Sequence, residues 1–180
     1  MILFYGPAGS GKSTQGKILA KKFNWQYVSA GDLLREKAKN DVMLAKIMDK
    51  GDLAPSGVIN ELIFTAVDPT DKGHVVVDGY PRELEELADL VERYGVNTIA
   101  AAIVLVLPET EAIKRLKLRA REDDDDDAIQ RRLEIYHEEM APILNFFDEH
   151  SVKIIKIDGA PSIKEIAKNI EKELNKWQIL

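Results

Sequence analysis

The chain has 180 residues, about one domain's worth, and its 45% hydrophobic content is enough for a self-standing core, which excludes an intrinsically disordered chain. Twenty-five Lys and Arg face 31 Asp and Glu, a formal charge of −6, which excludes the broad cationic face of a general nucleic-acid binder. There is no cysteine, so disulfides, a cysteine-held structural zinc, iron–sulfur clusters and thiol nucleophiles are excluded as well.

In chain order, residues 1–5 read as a buried strand and 13–23 as a helix with Ile18, Leu19 and Phe23 at helical spacing. Residues 25–28 form a second strand. From 31 to about 67 the pattern predicts two or three short helices broken at Gly51 and Pro55, with no strand until 75–77. A helix over 83–94, a strand over 100–107 and a helix over 109–119 follow. A long helix runs from about 125 to 149 with Pro142 inside as an expected kink. A fifth strand covers 152–157 and a last helix 162–177, where Ser162 and Glu165 form a capping-box signature. No basic, apolar leader is read at the start. The longest apolar stretch, 99–107, is far short of the ~20 residues of a membrane span. The expectation is a soluble, cytoplasmic protein without membrane partners.

Five apolar strands alternating with helices predict an α/β fold with a doubly wound parallel sheet, since strands buried on both faces lack polar alternation. The strandless segment of about 30–58 is expected to project as a small helical subdomain inserted in a single domain covering 1–180.

Gly6-Pro7-Ala8-Gly9-Ser10-Gly11-Lys12-Ser13 matches the phosphate-binding pattern G-x-x-x-x-G-K-[ST] between a strand and a helix, which predicts a P-loop NTPase-type sheet. Such a loop turns backbone N–H groups toward phosphate oxygens and adds a helix N-terminus. Lys12 then reaches the β- and γ-phosphates, and Ser13 is the expected Mg²⁺ ligand. The third strand ends in Asp78-Gly79-Tyr80-Pro81-Arg82, at the sheet edge where ligands bind in open α/β folds. There Asp78 can hold a Mg²⁺-bound water, Gly79 allows close backbone approach, and Arg82 can fork onto a phosphate.

These segments, with Gly11-Lys12-Ser13-Thr14-Gln15, Ser29-Ala30-Gly31-Asp32-Leu33-Leu34-Arg35, Gly51-Asp52-Leu53-Ala54-Pro55, Arg121-Glu122-Asp123-Asp124, Arg132-Leu133 and Asp158-Gly159, resemble the nucleoside monophosphate kinases of the adenylate kinase and UMP/CMP kinase type, in collinear order over nearly the whole chain. The resemblance implies reversible transfer of a phosphoryl group from Mg-ATP to a nucleoside monophosphate (NMP). AMP comes first, a UMP/CMP or broad-specificity kinase second, and a kinase-like ATPase assembly factor third. It implies catalytic roles for Lys12, Arg82, Arg121 and Arg132. Gly9, Ser10, Gly11, Ser13, Thr14, Arg119 and Ala160 would bind ATP, and Ala30, Arg35, Leu53, Ala54, Gly79 and Glu86 would bind the acceptor. Asp78 and Asp32 would act on the metal through water. The nucleotides are the only partners implied, with the chain a monomer or small homo-oligomer.

Three departures from the family pattern stand out. Only Ala120 separates Arg119 from Arg121, so the lid shrinks to a vestige over about 119–124, leaving no room for zinc and requiring another source of water exclusion, such as a neighbouring subunit. The acceptor-base position is Glu86 rather than Gln or Asn, and Ala30 follows the UMP/CMP kinase spelling. A carboxylate only accepts hydrogen bonds, so it suits an amine but opposes the ring nitrogen of adenine or cytosine unless protonated. The plainer alternative leaves Glu86 facing solvent beside Glu83 and Glu85. A calcium-loop match over Asp123, Asp125, Asp127 and Glu134 is rejected because Ala128 stands where glycine is needed and helix follows. His74, His137 and His150 have no metal-ligand spacing.

Overall fold

β1 (Ile2–Tyr5) is wholly buried because it is the middle strand of a parallel sheet. The computed structural model describes residues 1–68, 71–119 and 125–180. Among these, five strands are ordered β2-β3-β1-β4-β5, with β2 Gln26–Ser29, β3 Val75–Asp78, β4 Ala101–Val106 and β5 Lys153–Asp158, every pair parallel. β1 leads to β2 on one side while β4 leads to β5 on the other. Connections that diverge from neighbouring strands open a crevice at their carboxyl ends.

The strand alternation sorts the core into two layers. Leu3, Tyr5, Val75, Val77, Ala102 and Val104 face one side. There they meet α4 (Ser56–Val67), α5 (Leu84–Tyr94) and α7 (Asp126–Glu149) through Ile63, Leu87, Leu90, Ile143 and Phe147. Ile2, Phe4, Val76, Ile103 and Leu105 face the other, against α1 (Lys12–Phe23) and α8 (Ile163–Lys176) through Leu19, Ile166, Ile170 and Leu174. Burying α4 on the sheet anchors the helical segment of α2 (Ala30–Ala38) and α3 (Val42–Asp49) that precedes it. Ile63 is fully buried, so Ile63→Val is expected to cost about 1 kcal/mol, read as a lower denaturation midpoint at unchanged slope.

Element boundaries shift by a residue or so from the sequence reading, for identifiable reasons. Trp25 does not join β2, because its N–H closes the end of α1 on Ala20 O at 2.8 Å behind left-handed Asn24. Ser29 instead ends β2 and caps α2, accepting from Asp32 N at 3.3 Å. Asp125 caps α7 rather than starting it, accepting from Ala128 N at 2.8 Å. α7 continues through Pro142 as one helix. The capping box of Ser162 and Glu165 is present.

Candidate active site

The P-loop follows β1, and three of its glycines have positive φ. At Gly9 a Cβ would sit 2.5 Å from Ala112 O, so hydrogen is the only side chain that lets the loop lie on α6 (Glu109–Arg119). Gly11 has open space around it and is needed for its φ of 94°, which starts α1 without a side-chain cap. The first turn of α1 carries no acidic residue, whereas those of α5, α6, α7 and α8 do. That end of α1 is left positive and uncapped, which suits an anion.

A cavity of about 580 Å³ opens over this loop. Gly9, Ser10, Gly11, Lys12, Ser13 and Thr14 line it, with Asp78, Gly79 and Arg82 from the end of β3 and Arg119 from α6. Arg35 and Ala30 of α2, Leu53 and Ala54, Glu86 of α5 and Arg132 of α7 complete the expected residues. Asp32 and Ala160 do not line it. The Asp32 carboxylate is held by Arg35 at 2.6 Å and Lys17 at 3.5 Å. Burial pushes its pKa up, but those two cations outweigh burial and hold it below the ordinary value. Arg121 and most of the expected lid, 120–124, lie outside the described residues.

The cavity concentrates cations in an acidic protein. Lys12 donates to Gly6 O at 2.6 Å and Pro7 O at 3.0 Å. Burial lowers its pKa to about 8; Asp78 opposes the shift, and Arg82 and Arg119 add to it. Arg82 is lowered too, by burial first, with Glu86 and Asp78 opposing and Arg132 and Arg35 repelling. Gathering like charges in one cavity is unfavourable unless an anion is to be bound. Arg82 is aimed by Nε donating to Gly79 O at 3.0 Å.

Asp78 is nearly buried, and two hydroxyls donate to its Oδ2: Ser13 Oγ at 2.5 Å and Tyr27 at 2.7 Å. Its Oδ1 is buried with no hydrogen-bond partner among the described residues. An orphaned carboxylate oxygen beside a hydroxyl with free lone pairs fits a hydrated cation, which Mg²⁺ prefers. Among the described residues no three His, Asp or Glu side chains converge to hold a metal alone.

The alternative that leaves Glu86 facing solvent is excluded here, and Glu86 lines the cavity as the acceptor-base reading expects. It is 3% exposed and accepts from Arg82 N at 2.6 Å. Burial pushes its carboxyl up to about 7, against the Arg82 N–H and guanidinium, which favour the anion. Glu86 lies on the same α5 stripe as Leu87 and Leu90, a periodicity that was available to find it. Its helix is tied to α4 through Tyr80, whose hydroxyl lies 2.6 Å from Asn60 Oδ1 and 3.1 Å from Glu86 O.

Sequence reasoning also left Arg115 and Tyr27 unassigned. Arg115 lines the cavity and donates to Gly159 O at 2.9 Å and Ala160 O at 3.3 Å, latching the β5–α8 loop to α6. Nothing near Arg115 in the sequence indicates that loop, 44 residues away.

Comparison with known proteins identifies the family. The family model for adenylate kinase matches residues 4–152. The chain belongs to the adenylate kinase family. Its activity is that of a nucleoside monophosphate kinase, a phosphotransferase. It is 34% identical over 173 residues to the adenylate kinase of Nocardia farcinica, covering 92% of this chain and 93% of that one. The adenylate kinase of Prochlorococcus marinus is 33% identical over 180 residues, 96% of each chain. That of Mycobacterium tuberculosis is 34% identical over 173 residues, 92% of this chain and 93% of its own. No helix among the described residues of this family member is long and apolar enough to cross a membrane.

Proposed function

We propose that the chain transfers the γ-phosphoryl group of ATP to AMP, reversibly, giving two ADP. The observation that carries this reading is the convergence of Lys12, Arg35, Arg82, Arg119 and Arg132 on one cavity beside an uncapped helix N-terminus. A bond forms from an AMP phosphate oxygen to the γ-phosphorus as the bond to the β,γ-bridging oxygen breaks. Neither step needs a covalent nucleophile, so the work is positioning and charge stabilisation.

The P-loop N–H groups and Lys12 hold the donor phosphates. Lys12, with its pKa lowered to about 8 chiefly by burial, is still mostly protonated at neutral pH. Arg35 and Arg82 grip the acceptor phosphate, which sets it opposite the leaving ADP. Arg119 and Arg132, joined by Arg121, neutralise charge on the group in flight. Ser13 and Asp78 would hold Mg²⁺, which supplies further neutralisation of the phosphate oxygens when bound. Residues 30–58 act as the acceptor-binding subdomain, with Ala30, Leu53, Ala54 and Glu86 around the base. Arg115 supports the donor side by holding the backbone at Gly159 and Ala160.

Ala30 and Glu86 favour one further reading, a UMP/CMP or broad-specificity kinase. Product formation from Mg-ATP with AMP, CMP, UMP, GMP and dTMP in parallel decides between them. AMP is expected to be the best acceptor. CMP or UMP as best would replace the proposal with the second reading. ATP hydrolysis without any phosphorylated acceptor would exclude both and favour an assembly ATPase.

A further inference from the structure

Two hydroxyls from different elements meet on one oxygen of Asp78. Ser13 reaches it from the start of α1, and Tyr27 from β2, the strand paired with β3. The Tyr27 ring has little freedom. A Cβ on Gly16 would lie 2.8 Å from its Cε2, so the ring rests against the α1 backbone. Lys17 Nζ stands 5.4 Å from the ring centroid. The phenol hydroxyl is a hydrogen-bond donor, and it lies 2.7 Å from Asp78 Oδ2. It is therefore a fixed donor.

We propose that Tyr27 is a positioning residue for phosphoryl transfer: its hydroxyl pins Asp78 Oδ2, so that Oδ1 and the Ser13 lone pairs are left in one orientation for the hydrated cation on the donor phosphates. The inference rests on the reading of Ser13 and Asp78 given above. It follows from donor counting. Ser13 alone supplies one hydrogen bond, about which a carboxylate can swing. A second donor on the same oxygen removes that freedom. Without it, Oδ2 would be only half satisfied in a buried site and would compete with Oδ1 for the same ligand. Groups behind the ligands of a cation tune its affinity in this way.

The test compares wild type with Tyr27→Phe, which keeps the ring and loses the hydroxyl. ATP affinity is measured by calorimetry with Mg²⁺ and, separately, with EDTA. Turnover with AMP is followed against Mg²⁺ concentration, and thermal unfolding serves as the control for folding. Tyr27→Phe is expected to weaken Mg-ATP binding and raise the half-saturating Mg²⁺ concentration roughly five- to tenfold. Metal-free ATP affinity and the KM for AMP should stay within roughly twofold, since no donor to either is removed. An unchanged ratio of Mg-ATP to metal-free affinity overturns the proposal, whether or not the melting temperature falls. If Tyr27→Phe does not fold, Gly16→Ala carries the same expectation, because its methyl displaces the ring and with it the hydroxyl. Wild type unable to phosphorylate AMP takes down both the functional reading and this one. Active wild type with an indistinguishable variant takes down this one alone.

Discussion

Arg82→Ala is expected to lower kcat for AMP phosphorylation by about 10³-fold or more, with the fold intact. Arg82 lines the cavity as an exposed residue, and its guanidinium stands between opposing influences: Asp78 and Glu86 attract it, while Arg35 and Arg132 repel it. The folded chain keeps this cation where two like charges disfavour it. A compensating anion of high charge density would account for that placement, and the acceptor phosphate proposed to sit there is such an anion. Losing the side chain removes both a charge and a fork held in line by Gly79 O. Arg82→Lys restores the charge without the planar fork and is expected to recover only part of the rate. Single-turnover transfer at saturating ATP and AMP separates this from weakened binding, and circular dichroism checks the fold. Wild-type turnover in Arg82→Ala would remove the role assigned to it.

Glu86 is expected to make both stability and acceptor choice depend on pH. Burial raises its carboxyl from 4.5 to about 7, so the folded state prefers the protonated form. Stability from this group is full below about 4.5 and is lost as pH rises through about 7, a change of about 3 kcal/mol. Glu86→Gln is expected to flatten that decline and to be the more stable protein at pH 8. The same proton matters to the base. A protonated carboxyl can donate to a ring nitrogen while accepting from an exocyclic amine, as an amide does, whereas the carboxylate only accepts. KM for AMP should therefore rise about tenfold from pH 6 to pH 8, as the protonated fraction falls. KM for GMP, whose base offers two donors, should move the opposite way. A flat KM profile for both acceptors, equal in wild type and Glu86→Gln, would show that Glu86 does not read the base.

What could be read from the sequence and what could not divides along chain distance. The P-loop is contiguous and lies between a strand and a helix, so its motif carries its own context. The five strands are apolar runs that announce a sheet buried on both faces. Tyr27 and Asp78 are 51 residues apart, and their contact depends on β2 pairing with β3 in one register. Arg115 needs β5 beside β4 before the loop at Gly159 comes within reach. Glu86 is the intermediate case. Three glutamates crowd the start of α5, and only the positions of Leu87 and Leu90 separate the buried one from its neighbours.

α7 joins the two ends of this molecule. Its 24 residues make a rod of about 36 Å. Far along it, Met140, Ile143 and Phe147 are set into the sheet core. Near its start, Ala128 O packs on Gly51, Arg131 holds Asp52 at 2.8 Å and Arg132 reaches Met48 O. The acceptor-side segment is thus gripped by a lever whose other end is clamped in the most deeply buried part of the protein. Loosening at the clamp is expected to move the grip: Phe147→Leu should raise KM for the proposed acceptor at temperatures below its own melting transition, read by steady-state kinetics against thermal unfolding. Phe147, outside the cavity lining, thus bears on how firmly the far end of α7 is held.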